Sequence, residues 1–322
     1  MRKYTVGIIS GANIALRAIA QEIDNHDRFE LKAFATRSED QQKAIKKKFN
    51  CAVYIGYDYL IKDDDIDFVY IPLPNSLHKE WVLKAINAGK HVLCEKSLGC
   101  YLADVTEMVE AAEQNNCLLI ENFQFRFHSQ QATVKKLISE NEIGEVQCFR
   151  STFGFPPFPD SNNIRYKREL GGGALLDAGA YTLRAMSFVM GSGFSVKSAA
   201  MNTPSGYAVD ITGGIFATNS KGVVAQLAYG FNNFYQCNYE VWGTKGKITV
   251  LRAFTSPPGF SPTIIIEKQG EREERVLSPD NHYGNMLTHC AKCIDTSSFT
   301  DEYKQLIEQA ELIEQTKEKS NE

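Results

Sequence analysis

The chain has 322 residues, 43 % of them hydrophobic and 23 % charged, with 35 Lys+Arg against 39 Asp+Glu and a formal net charge of −4. That length suits one large domain or two medium ones, and the composition is that of a globular protein with a sizeable core, not a disordered chain. The slight acidic surplus argues against a nucleic-acid partner, and no apolar run approaches the length that spans a bilayer.

Met1-Arg2-Lys3-Tyr4 runs straight into a strand-like segment with no cleavage pattern. No signal peptide and a cytoplasmic location are therefore expected. From residue 4 to about 122, short apolar runs alternate with amphipathic stretches. Val6–Ile9, Phe29–Ala35, Phe68–Ile71, His91–Cys94 and Cys117–Ile120 read as buried strands. Helix-like segments lie near 13–25, 39–49, 76–88 and 101–115. This alternation predicts βαβ units, hence a doubly wound parallel sheet with helices on both faces. Asn87-Ala88-Gly89 is a glycine stop signal, and Lys46-Lys47-Lys48 reads as a solvated helix end.

From about 145 the rhythm changes. Val146–Phe153, Phe194–Ala200, Gly213–Ala217, Gly222–Tyr229, Tyr239–Val241, Lys247–Val250 and Thr263–Lys268 are strand-like and joined by short turns. The series predicts an antiparallel sheet, interrupted by one glycine-led helix at about 174–190. A polar amphipathic helix occupies 301–318. The expected organisation is thus an α/β domain over 1–122 and an α+β domain with a large open antiparallel sheet over 123–322.

Eight cysteines are present, and only Cys290 and Cys293 form a C-x-x-C. A zinc site needs four ligands, and the neighbouring His289 does not complete one. Neither a metal nor a disulfide framework is expected.

A strand followed by a tight turn and a helix N-terminus is a ready site for a pyrophosphate. The turn here is Ser10-Gly11-Ala12-Asn13-Ile14-Ala15, with small residues at the three positions that dinucleotide folds usually give to glycine. The second strand ends in Thr36-Arg37-Ser38, where an NAD enzyme often carries an acid. Arg37 can pair bidentately with a 2′-phosphate and both hydroxyls can donate to it, so NADP(H) is favoured over NAD(H), with dual use left open. The bland alternatives are a generic βα turn and a surface arginine at a strand end.

Residues 70–98 read Tyr-Ile-Pro-Leu-Pro-Asn-Ser-Leu-His, a helix, then Gly-Lys-His-Val-Leu-Cys-Glu-Lys-Ser. Residues 171–181 read Gly-Gly-Gly-Ala-Leu-Leu-Asp-Ala-Gly-Ala-Tyr. Together these resemble the Gfo/Idh/MocA oxidoreductases over nearly the whole chain. Phe155-Pro156-Pro157, then Asn163-Ile164-Arg165-Tyr166, look most like the sugar-nucleotide 3-ketoreductases of that family. The resemblance implies an N-terminal Rossmann domain, a C-terminal domain with an open sheet, and a homodimer or homotetramer packed through that sheet.

It also implies roles for particular residues. Glu95-Lys96 matches the family's Glu-Lys-Pro motif, with Ser97 in place of the proline. Lys96 would then lie beside the nicotinamide ribose and the substrate oxygen. Pro72, Leu73, Asn75 and His78 match a loop that borders the nicotinamide, although His78 also reads as the polar start of the next helix. Asp177 and Tyr181 are i,i+4, and Arg184 is three residues further, so they share one helical face. Tyr181 is expected to donate a proton, with the Lys96 ammonium favouring its phenolate, and Asp177 to position the sugar. Without the resemblance, a half-buried aromatic and a helix-start acid would be the simpler readings. Arg165 could hold a phosphate of cofactor or nucleotide-sugar, or make a surface ion pair, and Tyr166 on the same loop is a substrate candidate. Gln124, after the last strand of the first domain, and Tyr235 complete the substrate candidates.

The resulting expectation is NADP(H)-dependent reduction of the C3 ketone of a nucleotide-linked deoxyhexose. The alternatives are a free-sugar, polyol or diol dehydrogenase of the same family and, in another class, a non-catalytic dinucleotide sensor.

Overall fold

The computed structural model describes residues 2–321, and they form two compact units. The first comprises the chain up to Asn122 together with Tyr283–Ile307. The second comprises Phe123–His282 together with the segment from Glu308 onward. The sequence rhythm predicts a single division after 122. The segment Tyr283–Ile307, which that reading assigns to the second domain, packs instead with the first unit. Specific contacts hold it there. The Tyr303 hydroxyl donates to the Cys117 carbonyl at 2.5 Å, the Phe299 ring lies 6.0 Å from that of His91, and Arg28 pairs with Asp295 at 2.8 Å.

In the first unit, β1 (Tyr4–Ile9), β2 (Phe29–Thr36), β3 (Ala52–Ile55), β4 (Phe68–Ile71), β5 (His91–Cys94) and β6 (Leu119–Glu121) form a parallel sheet in the order β3-β2-β1-β4-β5-β6. Val6, Ile8, Ile9, Phe68, Val69 and Ile71 have no exposed surface, because helices cover both faces. β3 escapes the sequence reading although Ala52-Val53-Tyr54-Ile55 is apolar, because the run is only four residues long and half-buried or exposed throughout.

The crossovers carry α1 (Ala20–Asn25), α2 (Glu39–Lys48), α3 (Tyr57–Ile61), α4 (His78–Asn87) and α5 (Leu102–Gln114). A π turn, Ala15–Ile19, leads into α1. The Ser38 hydroxyl caps α2, whose first turn is acidic and whose last turn is Lys46-Lys47-Lys48, so its charges complement the helix dipole. After α4 the chain turns at Gly89 with φ 72°, the left-handed stop that its glycine signals.

The second unit holds α6 (Ser129–Ser139), β7 (Val146–Gly154), α7 (Ala180–Met190), β8 (Phe194–Asn202), β9 (Thr212–Asn219), β10 (Val224–Gly230), β11 (Gln236–Gly243), β12 (Gly246–Val250), β13 (Thr263–Lys268) and β14 (Glu271–Val276). Its sheet runs β14-β13-β12-β11-β7-β10-β9-β8. Pairing is antiparallel except between β7 and β10, which are parallel. Parallel neighbours need a long crossover, and the connection through α7 supplies it. Local turn signals reveal the hairpins but not the strand beside which a long connection returns. β14 is a charged edge strand, and its Glu271-Arg272-Glu273-Glu274-Arg275 run hides it from a reading based on apolar residues.

Phe149, Phe153, Leu227, Tyr229, Tyr239 and Val241 line the buried face of this sheet, against which α7 packs at β7 and β10. Their alternation with exposed Arg150, Gln226 and Trp242 is the period-two pattern of a sheet covered on one side.

The last helices are α8 (His282–Thr296) and α9 (Thr300–Ser320). His289 on α8 contacts Cys293 at 3.4 Å and Glu302 of α9 at 3.0 Å. Hydrogen bonds with Cys293 and Glu302 push His289 up to about 9. The C-x-x-C neighbourhood thus joins two helices. Among the described residues no helix is long and apolar enough to cross a membrane.

Candidate active site

The strand order of the first sheet places β1 beside β4, with the chain leaving to opposite sides. Ligands bind such sheets at the carboxyl ends of the strands, at this switch point. After β1 comes Ser10, a non-glycine residue with φ 82°, whose N–H donates to the Ala35 carbonyl at 2.7 Å. Ser10, Gly11 and Ala12 are partly exposed, and Asn13 and Ile14 are exposed. The space above Gly11 is limited, because a Cβ there would lie 3.3 Å from Ile45 Cδ1. A narrow, accessible turn of small residues before a helix fits a pyrophosphate.

At the end of β2, Arg37 is exposed and its guanidinium lies 5.5 Å from the Tyr57 ring centroid. Ser38 Oγ accepts from the Gln41 N–H at 3.4 Å, which leaves its own proton to donate. Thr36 departs from the sequence expectation. It is fully buried, and its hydroxyl donates to Gln41 Oε1 at 2.6 Å. Arg37 and Ser38, without Thr36, are the groups available to a 2′-phosphate.

The ends of β4, β5 and β6 form a second cluster. Tyr70 Oη and Asn122 Nδ2 both donate to Glu95 Oε1 at 2.6 Å. Burial and the Glu95 charge raise the Tyr70 hydroxyl well above its ordinary range and push Tyr283 up to about 12. Glu95, expected among the cofactor contacts, thus has structural partners. Glu121, at the end of β6, accepts from the Leu98 N–H at 2.8 Å. Lys96 lies between these anchors and is half-buried, and its peptide bond to Ser97 is cis.

Pro72 and Leu73 are buried and Asn75 is half-buried. His78 is fully buried, with Nδ1 2.8 Å from the Ser97 carbonyl and Nε2 2.7 Å from that of Leu73. Its nitrogens are therefore committed to the backbone of two loops and do not face a cofactor directly. Tyr70, Glu121 and Asn122 were not identified from the sequence as holding this edge. Their polar chemistry inside apolar runs was the available signal.

In the second unit the triple glycine has a geometric cause. Gly173 N–H donates to the Arg165 carbonyl and Gly172 N–H to that of Lys167, both at 2.9 Å. A Cβ on Gly172 would meet Arg165 O at 2.5 Å, and Gly173 adopts φ 116°. The chain can fold back here only without side chains.

The helix then opens as a π turn, Leu175–Gly179, and continues as α7. Asp210 anchors its start, as its carboxylate accepts from the Leu175 N–H at 2.7 Å and its carbonyl from the Ala174 N–H at 2.9 Å. Nothing in the sequence singles this residue out.

Asp177 and Arg165, assigned separate tasks by the sequence, form one ion pair at 2.7 Å. The Arg165 guanidinium also lies 4.9 Å from the Phe158 ring centroid. Tyr181 is 7 % exposed, and its ring is boxed by Phe123, Phe125, Phe153 and Phe254 at centroid distances of 5.1, 5.9, 5.1 and 5.6 Å. Four aromatic walls fix the ring plane. Arg184 is buried further along α7.

The remaining candidates are more peripheral. Tyr166 Oη accepts from the Phe158 N–H at 3.0 Å. Tyr235 Oη bonds Thr255 Oγ1 at 2.6 Å. Gln124 is half-buried in the turn Gln124–Phe127.

Comparison with known proteins now places the chain. A model of an oxidoreductase family with an NAD-binding Rossmann fold matches residues 4–123, and a model of the GFO/IDH/MocA C-terminal domain matches 131–249. The chain is 36 % identical to dTDP-3,4-didehydro-2,6-dideoxy-alpha-D-glucose 3-reductase of Saccharopolyspora spinosa, over 98 % of this chain and 97 % of the relative. It belongs to the Gfo/Idh/MocA oxidoreductase family. KijD10, a 3-ketoreductase from Actinomadura kijaniata solved with NADP and TDP-benzene, superposes with a TM-score of 0.95 at 33 % identity over 98 % of both chains. A tyrosine-to-phenylalanine variant of KijD10, also solved with TDP-benzene and NADP, gives 0.94 at 32 % identity over 98 % of both chains. As a member of this family, the chain is an oxidoreductase.

The anchor of α7 should be visible in stability. A carboxylate at a helix start is favoured by the dipole, yet burial dominates and raises Asp210 to about 6. Between the ordinary carboxyl range and pH 6 the folded state keeps a proton that the unfolded chain has released. Stability from this group therefore falls as pH rises through that window. Asp210→Asn should remove that fall, gaining up to about 3 kcal/mol on wild type between pH 4 and 7. Urea unfolding at both pH values measures it, and an equal pH dependence in the two proteins would refute the assignment.

Proposed function

We propose that the protein uses NADPH to reduce the C3 ketone of a nucleotide-linked deoxyhexose. The observation that carries this reading is the full-length likeness to dTDP-sugar 3-ketoreductases. The retained Lys96, Asp177 and Tyr181 support it, as does the exposed Arg37 where an NAD enzyme often has an acid. Residues 1–122 are assigned as the dinucleotide-binding domain, and the sugar-binding groups are assigned to the second unit.

The turn Ser10–Ile14 would hold the pyrophosphate, and Arg37 with Ser38 the 2′-phosphate. When bound, NADPH supplies the hydride. The Lys96 ammonium stabilises the negative charge that develops on the ketone oxygen, and the Tyr181 hydroxyl gives that oxygen its proton. The ketone gains one hydride and one proton and becomes an alcohol. Tyr181 then recovers its proton from solvent. The aromatic box holds the phenol in one orientation while this occurs. Asp177 accepts a hydrogen bond from a neighbouring sugar hydroxyl. Arg165, paired with Asp177, would bring its positive charge to a nucleotide phosphate.

Self-association is assigned to the exposed face of the second sheet, where Phe216 is 39 % and Trp242 48 % exposed. A solution mass of two or four chains supports that assignment, and a monomer removes it.

Oxidation of NADPH with freshly generated 3-keto nucleotide-hexose tests the main reading. The rate should exceed that with NADH, and Arg37→Ala should cut this preference by roughly tenfold or more. Lys96→Ala and Tyr181→Phe should each lower kcat by about 10²- to 10⁴-fold while NADPH binding, followed by fluorescence, stays nearly unchanged. Wild-type turnover in both variants would remove the mechanism. Binding of NADPH without oxidation by any such ketone would remove the substrate.

A further inference from the structure

β4 and β5 end side by side, and one side chain joins the loops that leave them. The Nε2 atom of His78 is 2.7 Å from the Leu73 carbonyl oxygen after β4, and its Nδ1 is 2.8 Å from the Ser97 carbonyl oxygen after β5. Carbonyl oxygens only accept hydrogen bonds. A neutral imidazole has one N–H and one lone pair, so it can satisfy one of these oxygens and would set a lone pair against the other. The imidazolium has two N–H groups and satisfies both. No water can relieve the mismatch by replacing a partner, because the ring has no exposed surface and both distances are those of direct hydrogen bonds.

We propose that His78 is held as an imidazolium that clamps the two loops together and so positions Lys96, one residue before the clamped carbonyl. This role rests on the reading of Lys96 given above.

The surroundings show which forces compete. Burial, the largest influence, pulls the ring below its ordinary pKa and the Lys96 ammonium adds to that, while the carbonyls of Leu73, Ser97 and Leu98 favour the charge. Against that pull stand two direct acceptors, which only a doubly protonated ring satisfies. From β6, the Glu121 carboxylate accepts from the Leu98 N–H at 2.8 Å and brings negative charge to the same loop. Glu95 lies on the other side of Lys96 in the chain, bonded to Tyr70 and Asn122. On α4, Lys79 is neutralised by Asp104 and Glu107 of α5, at 2.9 and 2.7 Å. Loop 96–98 is thus tied from two directions, by a donor to the Ser97 carbonyl and an acceptor for the Leu98 N–H. Loss of the His78 proton would break one tie and release the peptide next to Lys96.

The decisive measurement is ¹⁵N NMR of the imidazoles in the full-length protein at pH 7, with His78→Gln identifying the resonances. His91 and His282, pushed down to about 4 by burial, provide neutral references. Both His78 nitrogens should be protonated, and an unprotonated nitrogen at pH 7 overturns the clamp. In turnover, His78→Gln should lower kcat by roughly 10- to 100-fold through misplacement of the reacting groups, with NADPH affinity within about threefold of wild type. The wild-type kcat should fall at alkaline pH with the same midpoint as loss of the imidazolium signal, and the variant should lack that limb.

A midpoint that does not coincide overturns the positioning role and leaves a purely structural histidine. The NMR and the wild-type pH profile decide the matter even if the variant does not fold. A doubly protonated ring in a protein that reduces no keto-sugar nucleotide would count against the proposed substrate and not the clamp. A neutral ring in an active enzyme would count against the clamp alone.

Discussion

Polar groups buried at the carboxyl ends of β4, β5 and β6 must find partners within the protein, and the architecture of this edge follows from that constraint. Tyr70, Glu95 and Asn122 satisfy one another across three neighbouring strands. Glu121 and His78 take the peptide groups of the loop that follows Glu95. Each bond crosses from one strand end to another, so none of the loops can move without exposing or abandoning a buried partner. Lys96 stands in the middle of this network, half-buried on a stretch of backbone held from both sides. That placement suits the role proposed for Lys96, a charge that meets a developing oxyanion without reorganising.

The second unit reaches a comparable rigidity by other means. The glycine run folds back against Arg165 and Lys167, and Asp210 receives the first N–H groups of the helix that carries Asp177 and Tyr181. Aromatic rings then hold Tyr181, while Arg165 holds Asp177. Backbone hydrogen bonds and packing place the Tyr181 hydroxyl, the proposed proton donor, and a salt bridge orients its neighbour Asp177. The ion pair also gives the Arg165 guanidinium a defined location.

Much of the fold was legible from the sequence because the relevant signals are local. Apolar runs between amphipathic stretches marked β1, β2, β4 and β5, and the Gly89 stop bounded α4 close to where it ends. The parallel pairing of β7 with β10 was hidden, since it depends on where a long connection returns. The same holds for Tyr283–Ile307, whose membership of the first unit is set by partners such as Cys117 and Arg28 far away in sequence.

At the site, Lys96, Asp177 and Tyr181 were recognisable from motifs. Their supports Asp210, Tyr70 and Asn122 were not, because a buried polar residue announces itself only through its partner in space. Thr36 and His78 show the converse. Their residue types suggested ligand contacts, but burial commits them to Gln41 and to two backbone carbonyls.

The proposed chemistry reduces to hydride delivery to one carbon and proton delivery to its oxygen. The most direct test is to follow the hydride itself. Turnover of a 3-keto nucleotide-hexose with NADPH deuterated at the transferring position should yield a hexose carrying deuterium on C3, read by NMR of the product. Deuterium at another carbon, or a product that contains none, would contradict the account.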